Sequence, residues 1–234
     1  MNRKMTVVAF SIFAAFFLSI CLCYAEQGRD EGEFKAIVAE INSFFSKPEE
    51  LMDKPSPIVS DKEMELVIRL KLFTIDYPVS VYADDAAYIL TLFQISSPAK
   101  YLQESRAFLE KYPKASLEPF TIDNSQILNM PAKEIGVIDV VKMDISQTLY
   151  NLKRYAESAK EAKAVIDDLR GKRLNARGYY ILGLNYYYLM KDYEAQADNE
   201  QVRRVCSEAI KRIPNAKDKE SFVKKLKELN SISK

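Results

Sequence analysis

Tyr179-Tyr180-Ile181-Leu182-Gly183-Leu184-Asn185-Tyr186-Tyr187-Tyr188, followed closely by Lys191-Asp192-Tyr193-Glu194-Ala195, is the stretch on which the fold turns. Its apolar residues recur three and four apart, which is the period of a helix and not of a strand. Gly183 inside it reads as the place where a partner helix crosses closely. Working outward, the same pattern recurs along most of the chain and strand signals are almost missing. Ile145 to Ile166 holds a further pair: Leu149 to Ala156 reads as a turn, and Ala159, Ala162 and Val165 as the buried stripe of the second helix. Upstream, Ser60-Asp61-Lys62-Glu63 reads as a capping box, its serine bonding forward and its glutamate reaching back. The helix it opens is expected to bury Met64, Val67, Ile68, Leu70 and Leu72. The next starts near Val81 with a stripe of Ala83, Ala86, Ala87, Leu90 and Phe93. Ser97-Pro98 reads as an N-cap and first-turn proline, where the missing N–H costs nothing, and opens a helix carrying Tyr101, Ala107, Phe108 and Leu109.

Helices end in Tyr77-Pro78, Tyr112-Pro113 and Ile213-Pro214, because proline cannot continue a helix. The first two prolines lie 35 residues apart, the interval of a two-helix unit. Leu182-Gly183 and Tyr186, with Tyr179 in the bulky lead place, resemble the L-G-x-x-Y core of a tetratricopeptide repeat. Lys191 to Ala195 resembles that repeat's turn and the start of its second helix, although Ala209 and Pro214 then come about seven residues late. Tyr77 to Ala86 is similar to the Y-P-x-S-x-Y-A-x-x-A junction of the envelope branch of the family. That branch includes the Bam-complex lipoprotein of outer-membrane assembly and the periplasmic cell-division coordinator. The resemblance spans about residues 60–215. It implies an all-α chain, an α-solenoid of antiparallel helical hairpins. Residues 26–116 are expected to form N-terminal hairpins, 117–134 an irregular insertion, 135–216 C-terminal hairpins, and 217–234 a polar capping helix with a stripe of Phe222, Val223, Leu226 and Leu229. A helix over 33–46 is expected to pair with 61–76 through a loop containing Pro48, Pro55 and Pro57.

Composition narrows the chemistry. The 234 residues contain no histidine, which removes the usual general base and the commonest transition-metal ligand. Cys206 is the one cysteine beyond the N-terminal segment, and its place in an apolar helical register reads as a buried structural thiol. Cys/His zinc sites and His-dependent nucleophilic catalysis are therefore excluded. With six glycines and no glycine-rich phosphate loop, no cofactor or metal is expected. The acidic pairs Asp84-Asp85 and Asp167-Asp168 read as helix-end or solvated residues and not as a catalytic dyad.

Residues 1–25 begin with Arg3 and Lys4, and no further charge follows until Glu26. A basic start, an apolar run and small residues before a polar chain make an export signal. Three fates stay open: cleavage after Ala25, lipidation at Cys21 within the lipobox-like Leu18-Ser19-Ile20-Cys21, or retention of Thr6 to Ala25 as a membrane anchor. All three leave Arg3 and Lys4 in the cytoplasm and send the rest across, to the periplasmic side. Setting the segment aside removes two of 34 basic residues against 33 acidic ones, a net charge near −1. Nucleic acid is accordingly not expected as a partner. Membrane contact is expected only through the N-terminal segment.

A repeat array presents a concave face lined by first helices. Matching the units places Tyr88, Met143 and Tyr180 at one equivalent position, Leu92, Gln147 and Leu184 at a second, and Ile95, Tyr150 and Tyr187 at a third. Tyr88, Leu92, Tyr150, Tyr180, Leu184 and Tyr187 are thus the candidate groove residues, suited to a helix or extended peptide. The expected function is a non-catalytic envelope scaffold holding another protein or peptide. The alternatives are a carboxylate-dependent enzyme acting on cell wall or polysaccharide, and a lipid-anchored, pilotin-like chaperone.

Overall fold

The computed structural model describes residues 28–43, 61–116 and 136–232. The export segment with Cys21, the capping residue Ser60, the loop prolines 48, 55 and 57, and the insertion expected at 117–134 lie outside these residues. The fold is all-α, with no strand among the described residues. The helices sort into two compact units that divide between Leu90 and Thr91.

The first unit holds α1 (28–43), α2 (Asp61–Asp76) and most of α3 (Ala83–Leu92). Helices α1 and α2 run antiparallel, as their side-chain bonds require. Glu40, late in α1, accepts from Arg69 at 2.6 Å and from Lys62 at 2.7 Å, while Glu33, early in α1, accepts from the Tyr77 hydroxyl just past α2 at 3.1 Å. The Arg69 bond, helped by that of Lys62, pulls the Glu40 carboxyl down to about 2.

Of the stripe expected on α2, Leu70 is buried and Val67 half-buried, but the other three residues are not buried. Leu66, Leu70 and Phe73 are buried, whereas Met64, Ile68 and Leu72 are about half exposed and Ile75 is 69% exposed. Both stripes are apolar at helical spacing, so hydropathy alone cannot choose between them. The aromatic residues decide. Phe73 packs against Phe34 at 5.3 Å, and Phe34 stacks on Tyr82 at 5.2 Å, a geometry that adds to the area buried.

The second unit contains α4 (Pro98–Lys111), α5 (Val137–Asn151), α6 (Tyr155–Asp168), α7 (Ala176–Ala195), α8 (Asn199–Arg212) and α9 (Glu220–Ile232). Pro98 opens α4, and α4 and α8 stop just before Pro113 and Pro214, as the prolines dictate. Ser97 is the N-cap residue of α4 but its side chain makes no capping bond. In α4 the buried residues are Tyr101, Leu102, Ser105 and Phe108, and Ala107 is exposed where burial was expected. In α6 the stripe of Ala159, Ala162 and Val165 is buried as the spacing predicts, and in α9 Phe222 and Leu229 are.

Consecutive helices pair antiparallel. Lys142 reaches Asp168 at 2.6 Å across α5 and α6, and Arg203 reaches the Leu229 carbonyl at 2.9 Å across α8 and α9. Arg212 joins three elements: it donates to the Tyr186 hydroxyl at 3.0 Å and to the carbonyls of Ile166 and Leu169 at 3.4 and 3.3 Å. Those carbonyls lie at the C-terminal end of α6, where helix geometry leaves acceptors unpaired.

The turns after α5 and α7 repeat bond for bond. Arg154 N–H returns to the Leu149 carbonyl at 2.9 Å and Asp198 N–H to that of Tyr193 at 2.9 Å, the six-to-one bond of a Schellman turn. Lys153 and Ala197 take the left-handed position between, at φ 60° and 58°. Lys191 to Ala195 is therefore the last turn of α7 and not the hairpin turn expected there; the turn comes at Gln196–Asp198. The late arrival of Ala209 and Pro214 follows from the length of α7, which is 20 residues against 15 in α5.

Gly183 proves less constrained than its place suggested. A Cβ added there would meet only the Ile213 Cδ1 atom, at 3.8 Å, an ordinary contact. Gly178 is the tighter position, since its Cβ would come 3.0 Å from Leu174 Cβ. Gly183→Ala should therefore raise the stability of this unit by about 0.5–1 kcal/mol by removing a helix-interior glycine, while Gly178→Ala should give no gain. Urea midpoints of the two variants check this, and a destabilised Gly183→Ala would contradict it.

Candidate functional site

The site is built from α5 and α7, which a buried polar seam holds in register. Ser146, Ser158, Asn185 and Asp192 are fully buried, one or two from each of α5, α6 and α7. The Ser146 hydroxyl donates to the Met143 carbonyl at 2.8 Å, with Asn185 Oδ1 at 3.4 Å. The Ser158 hydroxyl donates to the Ser146 carbonyl at 2.8 Å, and the Asn185 amide donates to the Ile181 carbonyl at 2.8 Å. Buried polar groups hold their partners because an unmade hydrogen bond costs about 1–3 kcal/mol there.

With Ser146 opposite Asn185, Tyr150 comes to lie beside Tyr188. Their ring centroids are 5.6 Å apart. Tyr150 also meets Tyr155 of α6 at 5.6 Å, and Tyr188 meets Tyr187 edge-on at 5.6 Å. Lys191 lies over the Tyr187 ring at 6.0 Å and is tied to Glu194 at 2.8 Å. Tyr187 and Tyr180 are exposed, and Tyr150, Tyr155 and Tyr188 are half-buried. The result is a run of tyrosine faces open to solvent.

Asp144 of α5 belongs to the same neighbourhood. It accepts from the Tyr101 hydroxyl of α4 at 3.2 Å, and its charge is felt by Tyr188. Burial pushes its carboxyl up to about 6, against the pull of the Tyr101 bond. The Tyr188 phenol is raised too, first by burial and then by Tyr187, Asp144, Tyr180 and Tyr150.

The six candidate groove residues do not share one fate. Tyr150, Tyr180 and Tyr187 stand on the α5–α7 face. Tyr88 is 1% exposed and part of the core of the first unit, so it presents no groove surface. Met143, assigned to the same repeat position, is buried as well. Leu184 packs against the core of the second unit, and Leu92 is half-buried at the end of α3. Across the face Tyr150 meets Tyr188 and not the Tyr187 that repeat matching paired with it. Asp144, Tyr188 and Tyr155 are the members that sequence reading missed. Tyr188 was visible as the last tyrosine of the quoted run, but Asp144 gains its meaning from Tyr101, 43 residues away.

The acidic pairs serve the helices. Asp84 and Asp85 occupy the first turn of α3, Asp168 pairs with Lys142, and Asp167 pairs with Arg170 at 3.1 Å. Cys206 is fully buried, which pushes its thiol up to about 11. Among the described residues no cluster of three potential metal ligands occurs, and no helix is long and apolar enough to cross a membrane. A pocket of about 210 Å³ at the start of α7 sets Asp139 against Lys172 and Arg173, one acid with two bases. In comparisons with known proteins, the chain matches no family model, no curated protein and no solved structure.

Asp192, with the larger shift, and Asp144, with the smaller, govern the pH response of this unit near neutrality. Both carboxylate oxygens of Asp192 are buried without a hydrogen bond, and the hydroxyl of Ser158, which acts on it, donates to the Ser146 carbonyl. Burial pushes the Asp192 carboxyl up to about 7, with Ser158 opposing. A carboxyl raised in the fold binds its proton more tightly there than in the unfolded chain. Stability therefore rises as pH falls from about 8 towards 4, and the gain is lost as pH climbs back through 7. Asp192→Asn should reduce that dependence, leaving the smaller part due to Asp144, and stabilise the protein by on the order of 2 kcal/mol at pH 8. Urea midpoints at pH 8 and pH 5.5 test this; a wild type less stable at 5.5, or a variant with the same slope, would contradict it.

Proposed function

We propose that this chain is an exported, non-catalytic scaffold, an α-solenoid of tetratricopeptide-like hairpins that holds a segment of another envelope protein on its α5–α7 face. The solenoid reading is supported by the antiparallel pairing of successive helices, by the identical turns at Lys153 and Ala197, and by the packing of α5 beside α7 with α6 on both. Export is supported by the basic start at Arg3 and Lys4 and the uncharged run up to Glu26.

The observation that carries the binding role is the exposed tyrosine run. Tyr187 and Tyr180 are 37% and 48% exposed although each could have been a core residue by its helical spacing. Tyrosine gives large contact area for little lost side-chain entropy, so a solvent-facing cluster suits the centre of a protein interface. The partner segment would lie along α5 and α7, its apolar side chains on the rings and its polar groups towards Asp144 and Lys191.

Photo-crosslinking residues placed at Tyr180 and at Tyr187 in the native envelope should capture one and the same dominant partner. The same probe at Lys163, exposed on α6, should not capture it. Equal capture from all three positions, or none from the two tyrosines, would contradict the proposal.

A further inference from the structure

We infer that the partner presents an arginine side chain, received between the Asp144 carboxylate and the faces of Tyr150 and Tyr188. This rests on the reading of the α5–α7 face as the docking surface and adds the chemistry of the occupant. The first ground is charge. Several acidic groups of this unit are matched by ion pairs, Asp168 with Lys142, Glu157 with Arg154, Glu161 with Arg106, and Glu194 with Lys191 and Lys225, and of the two raised by burial Asp192 is sealed in the core. Asp144 forms no ion pair among the described residues. Its bond from the Tyr101 hydroxyl occupies Oδ2 and leaves acceptor capacity on a largely desolvated carboxylate.

The second ground is the rings. Tyr150 and Tyr188 meet at 5.6 Å and a 53° tilt, so their faces are not hidden in a parallel stack. Ring faces attract cations, and Lys191 already shows this behaviour over Tyr187 at 6.0 Å. Lys191 stays committed there through Glu194. A guanidinium fits the remaining place better than an ammonium. It stacks flat on an aromatic ring, offers parallel N–H donors to a carboxylate, and loses less hydration on entering a desolvated site.

The test is a titration of the full chain, labelled with carbon-13 in the tyrosine rings, with the peptide acetyl-Gly-Arg-Gly-amide. The same peptides carrying lysine or citrulline serve as controls, citrulline being the neutral isostere. The arginine peptide should shift the Tyr150 and Tyr188 signals saturably in the millimolar range, about five-fold more tightly than either control. Asp144→Asn should weaken it by about five-fold. Tyr150→Leu, at a half-buried position, should weaken it to a similar extent. Citrulline or lysine binding as tightly as arginine, or unmoved Tyr150 and Tyr188 signals, would overturn the assignment. So would full affinity in both variants. Partner capture from Tyr180 and Tyr187 alongside a failed titration would remove arginine and keep the docking face; failure of both would remove the face as well.

Discussion

The hydrogen-bonded seam of Ser146, Ser158 and Asn185 is the constraint on which the second unit depends. Helices α5, α6 and α7 bury aliphatic side chains that would tolerate several neighbouring registers, since burial has no direction. A buried hydroxyl or amide does not tolerate them. Sliding α7 along α5 by one turn would move the Asn185 Oδ1 atom from the Ser146 hydroxyl and leave that buried acceptor without a partner at low dielectric. The aliphatic residues thus supply most of the stability, and the polar seam supplies the alignment. From that alignment follows the position of Tyr188 beside Tyr150, and so the whole run of rings.

The same buried environment separates the acids of the molecule into two kinds. Glu40 in the first unit is gripped by Arg69 and Lys62 and held near 2, so its charge works for the fold. Asp144 and Asp192 in the second unit are raised by burial, so their charges work against it. A fold keeps such groups at a cost unless something compensates, either a proton or a cation supplied from outside. Asp192 is sealed inside, where only a proton can reach it. Asp144 borders the tyrosine face, where a partner's side chain can.

Much of the fold was legible from local rules. Pro78, Pro113 and Pro214 follow three helix ends, Pro98 marks a start, and the stripes of α6 and α9 point inward as their spacing requires. What failed was decided at a distance. On α2 two apolar stripes compete, and Phe34 on another helix selects the one containing Phe73. The turn after α7 has no glycine to announce it, because Ala197 takes the left-handed conformation itself. Lys191 to Ala195 thus looked like a turn and is helix. Three of the six groove candidates stand on the α5–α7 face, while Tyr88 is core because a tyrosine's sequence neighbours do not reveal which way its ring is buried. Asp144 could not be found at all without the tertiary contact to Tyr101.

The register of α5 on α7 is tested most directly by nuclear Overhauser contacts between tyrosine rings. In the wild type, Tyr150 should show ring contacts to both Tyr155 and Tyr188, as centroids 5.6 Å apart require. In Asn185→Leu, which keeps the branched shape and heavy-atom count and removes the polar bonds, helix content should persist while the contact from Tyr150 to Tyr188 weakens or disappears. A wild type without that contact, or a variant that keeps it at full strength, would contradict the role assigned to the seam.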